Sequence, residues 1–139
     1  MPEPGQAEGS SILGGLLDHV ETLMGTTAGQ ATFRFAAHAE GTRVGSSLRR
    51  QPLAHVLERL DAMLDQRSHV EEEGPPVLVR VEASTLIERG NALAEGILLG
   101  AMEGLFGAYY GQKLAASPPR PAPDGHGHLV SLEVAQDGI

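Results

Sequence analysis

No cysteine occurs among the 139 residues. Disulfides, thiolate metal centres and cysteine nucleophiles are therefore excluded together. There is no tryptophan, and aromatic residues make up only 4% of the chain. Basic residues are scarce as well: ten Lys and Arg stand against eighteen Asp and Glu, giving a formal charge of −8. The acidic excess lies late in the chain, and no basic patch interleaves with aromatics. Neither nucleic acid nor an anionic membrane surface is an expected partner, because both need clustered Lys and Arg. Gly-x-Ser-x-Gly, the P-loop and the dinucleotide fingerprint are also missing. No catalytic residue, cofactor or metal is expected.

The chain does have enough length for one domain with a core of its own. Residues 1–10, "MPEPGQAEGS", carry no positive or apolar stretch. They read as a disordered leader rather than a signal peptide, and the expected location is cytoplasmic. Residues 11–136 read as the domain and 137–139 as a tail. A first helix is predicted from Ser10 and Ser11, through the stripe Ile12, Leu16, Val20 and Leu23, to Gly25. A second runs from about Ala28 to Arg49, with Gly41 and Gly45 four apart on one face. Pro52 opens a third, with an apolar stripe of Leu53, Val56, Leu57, Leu60, Met63 and Leu64. His55, Glu58, Arg59 and Asp61 read as solvated.

After Gln66 the apolar period changes to two. "SHVEEEGPPVLVRVEAS" predicts two strands around a Gly-Pro-Pro turn, with Val77, Val79 and Val81 on the inner face. "GQKLAAS" predicts a third strand, "PPRPAPDGHG" a loop, and "HLVSLEVAQ" a fourth strand with Val130, Leu132 and Val134 inward. Between the two strand pairs lies "GNALAEGILLGAMEGLFGAYYG". Its glycines at 96, 100 and 104 each cost about 0.5–1 kcal/mol relative to alanine in a helix. Glu95 and Glu103 argue against a membrane span, since each acid near a bilayer centre costs roughly 2.5–3.5 kcal/mol. The expected fold is α+β: an antiparallel four-stranded sheet packed on one side by helices, in the order ααα-ββ-α-ββ.

Three stretches carry a family likeness. They are "LLDHVETLMGTTAGQATFRFAAHAEGTRVG", "VRVEAS" leading into "TLIERGNALAEGILLGAMEGLFG", and the closing hairpin. In this order and spacing the chain resembles the 4-vinyl-reductase-like domain family, which shares its fold with the TRAPP vesicle-tethering subunits. The resemblance implies that the late helix packs inside the domain. Gly41, Gly45, Gly96, Gly100 and Gly104 would then permit close helix contact. It also implies a homodimer through the paired helices. Many bacterial members place cysteines before the late helix and in the closing hairpin; here those positions carry none, so no thiol-based activity transfers.

Few side chains suggest chemistry. His126 and His128, two apart, would share a face of a strand, with Asp124 as a third metal ligand; the alternative is a polar turn with exposed histidines. His38 could meet the polar head of a ligand or be an ordinary helix histidine. Glu95 and Glu103 could form an acid–base pair, but a solvent or interface stripe is the simpler reading. The leading expectation is a non-enzymatic domain that binds a small apolar molecule between helices and sheet, lined by Phe33, Phe35, His38, Leu98, Met102, Leu105, Phe106 and Tyr109. A dimeric adaptor that docks a protein partner is the alternative, and a tetrapyrrole-pathway enzyme or subunit is a third.

Overall fold

A computed structural model describes residue 19 and residues 25–135. The first predicted helix, the leader and the tail fall almost wholly outside them. Helix α1 (Thr26–Ser47) begins at Gly25, whose φ is 80°, and Gly29 N–H bonds back to the Gly25 carbonyl at 3.0 Å. Its buried stripe is narrow, running through Gly29, Gly41, Val44 and Gly45. Helix α2 (Leu53–Leu64) follows Pro52, whose carbonyl accepts from His55 and Val56. It buries Val56, Leu57, Leu60 and Leu64. Leu53 is half-buried and Met63 is 37% exposed, so the expected stripe narrows at both ends.

The chain reverses at Asp65, a left-handed residue (φ 50°), and enters strand β1 (Gln66–Glu72). This reversal brings β1 back beside the last turn of α2. Asp61 accordingly accepts from Ser68 N at 2.9 Å, Ser68 Oγ at 2.5 Å and Gln66 Nε2 at 3.3 Å. It is half-buried, not solvated as its position on the helix suggested. Burial pushes its carboxyl above the usual aspartate range, against the opposing pull of the Ser68 and Gln66 hydrogen bonds.

Strand β2 (Val77–Ser84) pairs antiparallel with β1, Val70 opposite Val79. Its valines 77, 79 and 81 are buried while Arg80 and Glu82 face the other way, the period-two pattern of a half-buried strand. A short helix, α3 (Thr85–Arg89), follows at once. Helix α4 (Ala92–Tyr110) is the glycine-rich segment and lies at the centre of the fold. Strands β3 (Leu114–Ala116), β4 (Arg120–Pro121) and β5 (His128–Val134) complete an open, five-stranded antiparallel sheet. Its spatial order is β1-β2-β5-β3, with β4 pairing β5 as well. The α+β expectation therefore holds, with two changes. Strand β4 lies inside the stretch read as a proline loop; Pro121 fits there because a peripheral strand need not donate at every residue. Helix α3 separates β2 from the glycine helix. Val130 and Leu132 are fully buried, but Val134, at the strand's end beyond the packed layer, is 52% exposed.

Helix α4 is long and apolar enough to cross a membrane by length and composition, and two-thirds of it is buried inside this fold. Leu93, Leu98, Leu99, Met102, Leu105 and Phe106 join the β2 valines and Val130 of β5 in one core. Its broadest contact is with α1. There the helices meet backbone to backbone. A Cβ on Gly100 would overlap the Arg34 carbonyl, and one on Gly104 the His38 carbonyl. Reciprocally, a Cβ on Gly41 would overlap the Ala101 carbonyl, and one on Gly45 that of Leu105. Gly96, at the outer end, is looser: the nearest atom is Gln30 Cγ at 3.0 Å.

The same interface explains Glu103. Its side chain is buried, not on a solvent stripe. Glu103 Oε2 accepts from Arg34 Nη2 and from the Ala116 backbone N–H of β3, each at 2.9 Å. Two tyrosines close the far end of α4. Tyr109 donates to the Gln51 carbonyl (2.9 Å), Tyr110 accepts from Gly74 N–H (3.1 Å), and their rings meet edge to face at 5.1 Å.

Candidate ligand cleft at the helix elbow

The eight side chains expected to line one pocket are dispersed. Leu98, Met102, Leu105 and Phe106 are fully enclosed in the core. Phe33 and Tyr109 pack partly against it. Phe35 is 78% exposed on the outer face of α1. His38 is exposed beside Thr42, whose hydroxyl donates to the His38 carbonyl at 2.8 Å, and it borders a groove that reaches Glu103 and Leu114. Of the eight, Leu98 alone reaches the cavity at the α3–α4 elbow.

Local sequence makes that elbow. Ser84 caps α3 by accepting from Ile87 N at 3.2 Å. Gly90 ends α3 in the left-handed region, with φ 64°. Asn91 caps α4, its Oδ1 accepting from Ala94 N at 2.8 Å. Two helices thus meet within two residues, leaving a cleft beneath their junction.

The opposite wall is the segment from Ser117 to His128. It is tied down along its length. Ser117 N–H donates to the Ser131 carbonyl (2.8 Å), and Ser131 N–H returns a bond to Ser117 Oγ (3.0 Å). Ala122 and Gly127 close a turn at 3.0 Å. Asp124 accepts from His126 N at 3.0 Å and from Arg80 Nη1 at 2.8 Å. Arg80 also reaches the His126 carbonyl and pairs with Glu71. The Arg80 guanidinium holds the Asp124 and Glu71 carboxyls below the usual range. Gly127 has φ 77°, and a Cβ there would overlap the Val81 carbonyl, so the loop lies directly on β2.

This geometry revises the histidine reading. Gly127 turns the backbone between His126 and His128, so they do not share a face. His126 is exposed in the turn, and Asp124 is committed to Arg80. His128 opens β5 and borders the elbow. Among the described residues, no group of three His, Asp or Glu is placed to hold a metal ion.

The elbow cavity has a volume of about 160 Å³. Leu86, Ile87, Leu98 and Pro119 supply apolar walls, and Asn91, Glu95 and His128 supply polar ones. A second, more open cavity of about 360 Å³ adjoins it, sharing Ile87 and His128 and reaching Ser84, Glu88 and Ala122. Glu95 and His128 are both half-buried, and among the described residues neither side chain has a hydrogen bond or ion pair. Sequence reasoning singled out both residues but had no means of joining them. They are 33 positions apart, and only the pairing of β5 with β2 brings His128 to the end of α4. Compared with known proteins, the chain matches no protein-family model and no curated protein.

Proposed function

We propose that this chain is a small-molecule-binding domain whose ligand occupies the elbow cleft. One observation carries the reading: two half-buried polar side chains, Glu95 and His128, line a cavity with apolar walls of Leu86, Ile87 and Leu98, and among the described residues neither has a hydrogen-bond or ion-pair partner. Binding sites combine apolar walls with a few placed polar groups in this way. The ligand is small and amphipathic, with its apolar part against Leu86, Ile87 and Leu98. The resemblance to the 4-vinyl-reductase-like family supports a binding role over a catalytic one. The proposed site, however, lies at the elbow and not in the interior between helices and sheet, where that resemblance would put it.

Native mass spectrometry of the freshly purified chain tests this. The expected result is a reproducible adduct that denaturation releases and that Ile87→Trp, which fills the cleft mouth, abolishes. A bare wild-type chain, or an adduct indifferent to Ile87→Trp, removes the reading.

A second reading rests on α1. Ala31, Phe35 and Ala39 recur every four residues and all are exposed. Such a stripe supports a homodimer or an adaptor role, in which α1 meets another helix. Sedimentation of wild-type and Phe35→Ser chains separates the two cases, since only an interface through Phe35 loses mass on substitution.

A further inference from the structure

We infer that the elbow cleft selects an organic cation, a small primary amine carrying one ring or a short branched chain. This rests on the ligand-binding reading above and goes on to name the chemical class. Charge is the first argument. Glu95 lines the elbow cavity, and Glu82 and Glu88 border the adjoining one, while among the described residues no Lys or Arg lines either. Glu82 is partly satisfied from the neighbouring strand β1, by Arg67 at 3.4 Å and His69 at 3.5 Å. Glu95 has no such partner among the described residues. Among the described residues this half-buried carboxylate beside Leu98 and Pro119 has no ion-pair partner, and a bound ammonium supplies one. His128 adds a nitrogen acceptor in its uncharged form.

An anion finds no fixed positive charge among the described lining residues. At the start of α4, Asn91 already occupies the Ala94 N–H and Glu95 places a negative charge in the first turn. Size is the second argument. An apolar cavity of about 150 Å³ accommodates benzene, so about 160 Å³ admits one ring beside Ile87 and Leu98.

Three matched probes separate the possibilities: benzylamine, benzyl alcohol and benzoate, titrated into the isotopically labelled chain and followed by backbone amide shifts. The expected result is a cluster of shifts at Ile87, Gly90, Glu95 and His128. Benzylamine should bind about tenfold tighter than benzyl alcohol, the factor that 1.4 kcal/mol makes in an equilibrium constant. Glu95→Gln should erase that preference and leave benzyl alcohol unchanged. Added salt should weaken the amine alone, a check that needs no variant. Equal affinities, or a preference for benzoate, overturn the cation inference while the binding site stands. No clustered shifts with any probe at millimolar concentration overturn both.

Discussion

Replacing Gly104 by alanine adds one methyl group at the point where α1 and α4 come closest. The new Cβ would overlap the His38 carbonyl oxygen, and would stand 2.8 Å from Thr42 N and 3.0 Å from the His38 carbonyl carbon. All three are backbone atoms of α1, so no side chain can swing aside. Relief requires the whole helix to retreat toward ordinary contact distance, opening gaps along its buried stripe. Alanine gains about 1 kcal/mol of helix propensity over glycine. Overpacking in a close-packed interior costs typically 1–3 kcal/mol, occasionally more. With backbone on both sides, Gly104→Ala belongs at the upper end, for a net loss of about 2 kcal/mol. Gly96→Ala is the internal control. Its nearest neighbours are Gln30 Cγ at 3.0 Å and the Gln30 carbonyl oxygen at 3.2 Å, looser than the Gly104 contact with backbone oxygen, so strain offsets much of the propensity gain and the change stays within about 1 kcal/mol of zero. Urea unfolding measures both, read as a shift in midpoint at constant slope. The pair Gly41→Ala and Gly104→Ala should be less than additive, because helices parted by one methyl leave room for the other. A Gly104→Ala chain as stable as Gly96→Ala would refute the close approach.

Three further outcomes follow from individual polar side chains. Glu103→Ala leaves the Ala116 N–H without its acceptor and should cost about 1–3 kcal/mol, discounted because Arg34 is 37% exposed; Glu103→Gln should recover part of this, and amide exchange at Ala116 should rank the two. Asn91→Ala removes the α4 cap and should lower stability by about 0.5–2 kcal/mol in thermal unfolding. Asp61 has a carboxyl raised in the fold, chiefly by burial, so the native state holds its proton more tightly than the unfolded chain. Its contribution is full below the ordinary aspartate value of 3.8 and is lost as pH rises through the raised one. Wild-type stability relative to Asp61→Asn should therefore decline over that rise, and a flat difference across pH would contradict it.

Period alone exposes much of this fold. The valines of β2 and the Val56–Leu64 stripe of α2 declare their faces because each repeats at its element's own spacing. The glycine steps of α1 and α4 are equally visible, since an apolar helix rarely carries so many unless a backbone must come near. What stays hidden depends on contacts distant in the chain. Glu103 reads as solvent-facing until Arg34 and β3 arrive to neutralise it. Asp61 reads so until Asp65 turns the chain back. Strand β4 has two residues, one of them proline, and no local signal separates it from a loop. Phe35 shows the opposite failure: an aromatic residue amid alanines suggests an interior position, yet the narrow stripe through Gly41 and Gly45 turns it outward. The cleft is the least legible feature. Its walls come from Ser84–Leu98 and Ser117–His128, and no pattern within either segment announces the other.

The sheet's two outermost strands share a trait with a colloidal consequence. On β1 the Ser68 N–H is held by Asp61, and on β3 the Ala116 N–H is held by Glu103. Each donor points away from its neighbouring strand, where an extended segment of another molecule would add to the sheet. A charged oxygen already occupies each position. Recruiting a foreign strand at either rim therefore means dislodging a carboxylate and finding that carboxylate a new home. Two acids carried on helices thus guard the rims of the sheet, and chains crowded together in solution meet side chains there before they meet an open ladder.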